Sequence, residues 1–251
     1  MKLKNKSTLI AGLIASSFAL NANAGIVTNA TDILTGTGHA QLSEWLGEDV
    51  DLTRIFAKGV DGNDSYAWHA AVDGQGATFT IMEIFDNDTN ERRVIGGYKS
   101  KSWLSSGGYL SSESAFLFNL SDSLIFEKND RASNGVNATY NSQSYGSTFG
   151  GGHDLYVNTS LSGGHANIGH TYGDTSQYGQ SYYREEFAGS YNNWTIGAYE
   201  TFTLSDSTGN FGSGANAVLT ESGLPNDVPV PFALAGLSLL GLGFARRKVE
   251  S

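Results

Sequence analysis

The chain has 251 residues, 15 of them basic and 25 acidic, with no cysteine. It therefore has neither disulfide nor thiolate chemistry, and a core of apolar side chains must hold it together. Six basic residues and Glu250 lie in the two ends, so residues 25–231 carry nine basic groups against 24 acidic ones; such a surface repels nucleic-acid phosphates and anionic lipid, which removes nucleic acid as a partner.

Residues 1–24 read as a cleaved signal peptide. Lys2, Lys4 and Lys6 precede an apolar run from Leu9 to Leu20, which closes on Ala22-Asn23-Ala24. A basic start, a short apolar core and a small-x-small exit are what signal peptidase recognises. Ala22 and Ala24 are the cleavage residues, and the run is shorter than the roughly 20 residues that cross a bilayer.

Residues 25–40 are small and polar and read as extended. From Gln41 to Ala57 the apolar residues Leu42, Trp45, Leu46, Val50, Ile55 and Phe56 recur at helical spacing, which predicts one or two short helices, with Ser43 as a cap. Strands are expected at Tyr66–Val72, Ala77–Phe85, Arg93–Tyr98, Ser114–Leu120, Asp154–Val157, His165–His170 and Trp194–Leu204, separated by polar turns such as Asp73-Gly74. The fold class that follows is mainly β: an antiparallel β-sandwich flanked by a few short helices. Residues 205–227 are rich in Gly, Ser and Asn and read as a linker. No repeat of solenoid spacing is present.

Several segments fall in the order of a known pattern. They are Trp68-His69, Asp73-Gly74-Gln75-Gly76, then Gly96-Gly97-Tyr98 followed by Trp103, then Phe116-Leu117-Phe118. Phe149-Gly150-Gly151-Gly152-His153-Asp154-Leu155 and Tyr199-Glu200-Thr201-Phe202 complete the set. Together they resemble a TLDc domain over residues 41–204. Val72, Ala77 and Ser147 depart from the residues common in that family. The resemblance implies a β-sandwich with flanking helices. Its eukaryotic members are linked to oxidation resistance and to the vacuolar proton pump, a partner not carried over to an exported bacterial chain.

The tail reads Val228-Pro229-Val230-Pro231, an apolar run from Phe232 to Ala245, then Arg246-Arg247-Lys248. Its length approaches that of a single spanning helix, and the basic cluster would stay on the cytoplasmic side. This segment, 228–251, resembles a PEP-CTERM sorting signal, with Val230 where Glu is usual. The resemblance implies handling by an exosortase, at least transient membrane attachment, and delivery to the envelope, outer surface or exterior of a Gram-negative bacterium.

Candidate chemistry is sparse. His153 and Asp154, with Glu200 in a distant strand, have the residue types of an acid–base or metal cluster; the alternative is that they are hydrogen-bonded sheet and loop residues. The glycines from Gly150 to Gly152 read as a tight turn or bulge, or as a backbone nest for an anion. Asp86, Asp88 and Asn90 place oxygens at alternate positions like a calcium loop. Glu91 and Gly97 stand where that loop needs glycine and glutamate, so Ca²⁺ is an option and otherwise no cofactor is expected. Tyr172, Tyr178, Tyr182, Tyr183 and Tyr191 suit either sugar stacking or core packing. The expected role is an exported surface or matrix protein that binds an envelope or exopolysaccharide component. The alternatives are a hydrolase or redox-protective enzyme, and a calcium-stabilised adhesin.

Overall fold

The computed structural model of the chain describes residues 25–206 except 30, 32, 113 and 130–136. Segment 1–24 with Ala22 and Ala24, and segment 228–251 with its expected hydrophobic helix, lie outside the described residues, as does the linker beyond residue 206. No helix among the described residues is long and apolar enough to cross a membrane.

In chain order the elements are β1 (Val27–Thr28), α1 (Gly36–Leu46), β2 (Val50–Ala57), α2 (Ser65–Val72), β3 (Thr78–Asp86) and β4 (Arg92–Lys99). β5 (Ser106–Leu110), β6 (Phe116–Asn119), β7 (Leu124–Glu127), β8 (Thr139–Ser142), β9 (Leu155–Val157) and β10 (Gly164–Ala166) follow, then α3 (Ser181–Ala188) and β11 (Trp194–Asp206). Seven strands make one sheet in the order β1-β2-β11-β3-β4-β6-β7. Its pairs are antiparallel except β1–β2, which is parallel. The sheet is therefore mixed, where a purely antiparallel arrangement was expected. β5–β8 and β9–β10 form two further pairs, linked by bridges from Phe149 to Thr139 and to Leu155.

Each face of the large sheet carries its own core. One holds Leu52, Phe79, Ile81, Phe116, Phe118 and Phe202, covered by Leu42 of α1. The other holds Met82, Ile84, Ile95, Leu117 and Tyr199, covered by Trp68 of α2, Phe187 of α3, and Phe149, Leu155 and Val157 of the smaller pairs. Strand residues two apart share a face, and β3, β4 and β6 alternate accordingly. Gly96 and Gly97 are what allow the aromatic rings so close. A Cβ would lie 2.6 Å from a Phe118 ring carbon at Gly96 and 2.6 Å from a Phe149 ring carbon at Gly97.

The expected helices over Gln41–Ala57 need correction. α1 ends at Leu46 and residues 50–57 are β2. The cause is a bulge. Phe56 pairs with Thr201 and Arg54 with Phe202, leaving Ile55 as the extra residue. Val50 and Leu52 consequently face one core while Phe56 faces the other. One inserted residue breaks the period of two and mimics helical spacing. The cap of α1 is Thr35, whose hydroxyl accepts from Gly38 N at 3.1 Å, rather than Ser43, which is buried within the helix. Residues 36–40, read as extended, belong to that helix.

Tyr66–Val72, expected as a strand, is helix α2. Asp64 caps it by accepting from Ala67 N at 2.9 Å. Its buried residues are Ser65, Trp68, His69 and Val72, the i, i+3, i+4, i+7 stripe of a helix. Two of those four are polar, which hid the period. The strand expected at His165–His170 is confined to β10, Gly164–Ala166. β5, β7, β8 and α3 were not foreseen.

Candidate functional site

The loop Phe149–Asp154 sends its last two side chains in opposite directions. Asp154 is wholly buried. Its carboxylate accepts from the backbone amides of His170 at 2.9 Å, Thr171 at 3.0 Å and Tyr172 at 3.2 Å. It thereby ties the 149–154 loop to residues 170–172. Burial pushes its carboxyl up to about 6, against the pull of those amides. Gly150 has φ of +88°, and a Cβ there would run into the Asp154 carboxylate. Gly152 sits against the His170 ring. The glycine run therefore makes a tight turn that lets the carboxylate fold beneath it.

His153 points the other way. It is half-buried, adopts φ of +53°, and lies among Tyr140, Tyr145, Tyr156 and His165. Burial lowers its pKa.

Glu200 lies in β11, where it pairs with Ala57 of β2 and Ile81 of β3. It is 2% exposed. Arg54 Nη1 donates to its Oε1 at 2.8 Å, and the Thr31 hydroxyl donates to Oε2. A buried carboxylate needs such partners. The two carboxylates of the proposed acid–base set are thus each committed to a separate structural bond network. Among the described residues, no group of three or more His, Cys, Asp or Glu side chains is placed to hold a metal ion.

The Asp86–Asn90 segment is the β3–β4 turn. Asp86 Oδ1 accepts from Asp88 N at 3.0 Å and from Thr89 N at 2.8 Å, and those bonds with the Thr89 hydroxyl lower its pKa. Asp88 Oδ2 accepts from Asn193 Nδ2 at 2.7 Å, and Asn90 takes φ of +58° to close the turn.

The remaining family-pattern residues form the core around these groups. Trp103 is fully buried, donates to the Thr78 hydroxyl at 3.0 Å, and packs edge-on to Trp68 and Phe149. Tyr98 packs on Phe79 and Phe116, and burial raises its pKa. Phe116 and Phe118 line the α1 side of the sheet. Of the five tyrosines weighed for stacking, Tyr172 and Tyr183 are core, while Tyr178, Tyr182 and Tyr191 are exposed.

A buried lysine in β4 was not foreseen from the sequence. Lys99 is 0% exposed. Its ammonium donates to Asn141 Oδ1 at 2.9 Å and stands 4.1 Å from the centre of the Trp103 ring. Burial lowers its pKa to about 7, with Asp73 opposing and Lys101 assisting. Its place directly after Gly96-Gly97-Tyr98 in an alternating strand is the signal that would have found it.

Compared with known families, residues 27–205 match the TLDc domain. That stretch spans β1 through β11 and more than half of the chain. No curated protein matches the sequence.

Proposed function

Since the chain belongs to the TLDc family through residues 27–205, we propose that it is an exported surface or matrix protein whose TLDc domain serves as a binding and structural module. In this reading signal peptidase cuts after Ala24, and an exosortase acts near Val228, Pro229 and Pro231. The tail ending in Arg246, Arg247 and Lys248 touches the membrane at least transiently. The partner is an envelope or exopolysaccharide component of a Gram-negative bacterium, and no cofactor is required.

The observation that carries the non-enzymatic part is the commitment of Asp154 and Glu200 to buried structural partners. A general acid or base has to reach a substrate proton, and neither carboxylate is left exposed to do so. The TLDc domain also suits a role in oxidative-stress protection, so the direct test is peroxide consumption by the purified full chain. Glu200→Gln is expected to lower stability by about 3 kcal/mol, because it strips the charge opposite Arg54. His153→Ala is expected to leave stability nearly unchanged. Peroxide consumption abolished by either change at unaltered melting temperature would establish the enzyme instead. For sorting, deletion of Val228–Ser251 is expected to change the size and location of the protein in its host. Unchanged size and location would remove that part of the reading.

A further inference from the structure

The chain contains no cysteine, so no disulfide braces the domain. The β5–β8 pair instead sets two tyrosines directly opposite each other. Tyr109 of β5 is the register partner of Tyr140 of β8 across an antiparallel ladder. Side chains in that relation are the nearest cross-strand neighbours. Their rings lie 4.9 Å apart at the centroids and are inclined by 67°. Unbonded aromatic pairs span about 4.5–7 Å, so this pair sits near the short limit.

The local backbone builds the contact. The ladder register shifts between Ser106 and Tyr109, where residues 106–109 oppose residues 140–142. Gly107 and Gly108 take φ of +80° and +88° in that bulge, a conformation that suits glycine. A bulge re-aims the side chain beside it, here the Tyr109 ring. The Tyr109 hydroxyl donates to Gly151 O at 2.9 Å and holds the ring in place. Tyr140 is packed in turn against His153 at 5.3 Å and Tyr145 at 5.7 Å. Tyr109 is 40% exposed and Tyr140 is half-buried, so a small oxidant reaches the pair through Tyr109. Tyr145 and Tyr156 are as close, at 4.8 Å, but both are half-buried. Among the described residues the only sulfur is that of Met82, which is fully buried and does not intercept an oxidant first.

We propose that Tyr109 and Tyr140 are a site of oxidative modification, joined as dityrosine by a peroxidase-type one-electron oxidant supplied with hydrogen peroxide. Each phenol gives up one electron and its proton and becomes a phenoxyl radical. The two radicals form one C–C bond between ring carbons ortho to the oxygens. The hydrogens on those carbons move to the oxygens, which restores both phenols and both aromatic rings. The balance is a loss of two electrons and two protons, which reduce one hydrogen peroxide to two waters. Burial, followed by the Tyr140 and Tyr145 phenols, raises the Tyr109 pKa, so the neutral phenol is the form oxidised. Burial also lowers the His153 pKa, which leaves a neutral imidazole beside Tyr140 to accept a proton. The product ties β5 to β8 around β6 and β7. A link that closes such a loop restrains the unfolded chain, the service that disulfides give other exported domains. This modification goes beyond the binding-module reading and does not depend on its partner.

The test treats the dilute full chain with a haem peroxidase and hydrogen peroxide, then maps cross-linked peptides by mass spectrometry. Within one chain, peptides joined at Tyr109 and Tyr140 and lighter by two hydrogen atoms are expected, together with dityrosine fluorescence. Tyr109→Phe and Tyr140→Phe keep the rings and should each abolish that link; thermal melting before treatment checks that both remain folded. The linked wild type should melt at a higher temperature than Tyr140→Phe treated in the same way. Links only between chains, or no link at all, overturn the proposal. So does an internal link at another pair, such as Tyr145 and Tyr156, with Tyr109 and Tyr140 unmodified. A Tyr109–Tyr140 link that leaves the melting temperature unchanged supports the modification site and overturns its bracing role. None of these outcomes bears on the binding-module reading.

Discussion

Lys99 shows how much one residue imposes on this domain. Its ammonium is wholly buried with one amide oxygen and one indole face for company. With a folded pKa of about 7 against an ordinary value near 10.5, the unfolded chain binds the extra proton between those two values. Stability therefore rises with pH across that window, and the cost of burying the charge is felt in full below pH 7. Lys99→Met should raise stability by about 2 kcal/mol below pH 7, because Asn141 Oδ1 keeps its bond from Leu104 N and the desolvated charge is gone. The variant should also lose the stability gain between pH 7 and 10 that urea unfolding would show in the wild type. Asp154 was visible as a family-pattern residue, but its task was not. Its amide partners lie 16 to 18 residues away, and nothing local in a sequence specifies such a closure. His153 was visible as well, and its ring neighbours were not, since Tyr140, Tyr156 and His165 come from three strands and meet only through sheet pairing.

The strands that were legible, β3, β4, β6, β9 and β11, are those with clean alternation or apolar runs. The elements that were misread have identifiable causes. In β2 the extra residue at Ile55 shifts the apolar phase. In α2 the helical stripe is half polar, because Ser65 donates to Gln143 O and the His69 ring meets Asp73 and Ser142 O. A second bulge, between Ile196 and Ala198 of β11, leaves Ile196 and Tyr199 on one face, but the strand is long enough to be recognised regardless. If Asp64 is the N-cap that makes residues 65–72 helical, Asp64→Ala should cost about 1 kcal/mol. Asp64→Ser should restore most of it. Equal stability of all three by thermal melting would mean that tertiary contacts alone hold α2.

At the scale of the whole molecule, the decisive fact is the position of β11. The last strand of the domain is third in the sheet, hydrogen-bonded to β2 on one side and β3 on the other. Its pairing with β2 spans well over a hundred residues, and such contacts form late. A chain stopped after Asn193 should therefore show no cooperative unfolding, since β1, β2 and α1 would have no sheet to join. A cooperative transition for that fragment would mean that β3, β4, β6 and β7 are self-sufficient. The mixed topology was invisible in the sequence because β1 is two residues long and strand order is set by contacts between distant segments.

The central placement of β11 has a mechanical consequence. The chain leaves the sheet from the end of this strand on its way to the tail. Tension applied through the tail would load β11 along its own axis, with an antiparallel ladder on each flank. To extract the strand, both ladders must shear together; neither can be peeled open one bond at a time. The same load on an edge strand such as β7 would meet a single ladder. A domain pulled from its C-terminal side would thus be held by a strand with a ladder on each flank.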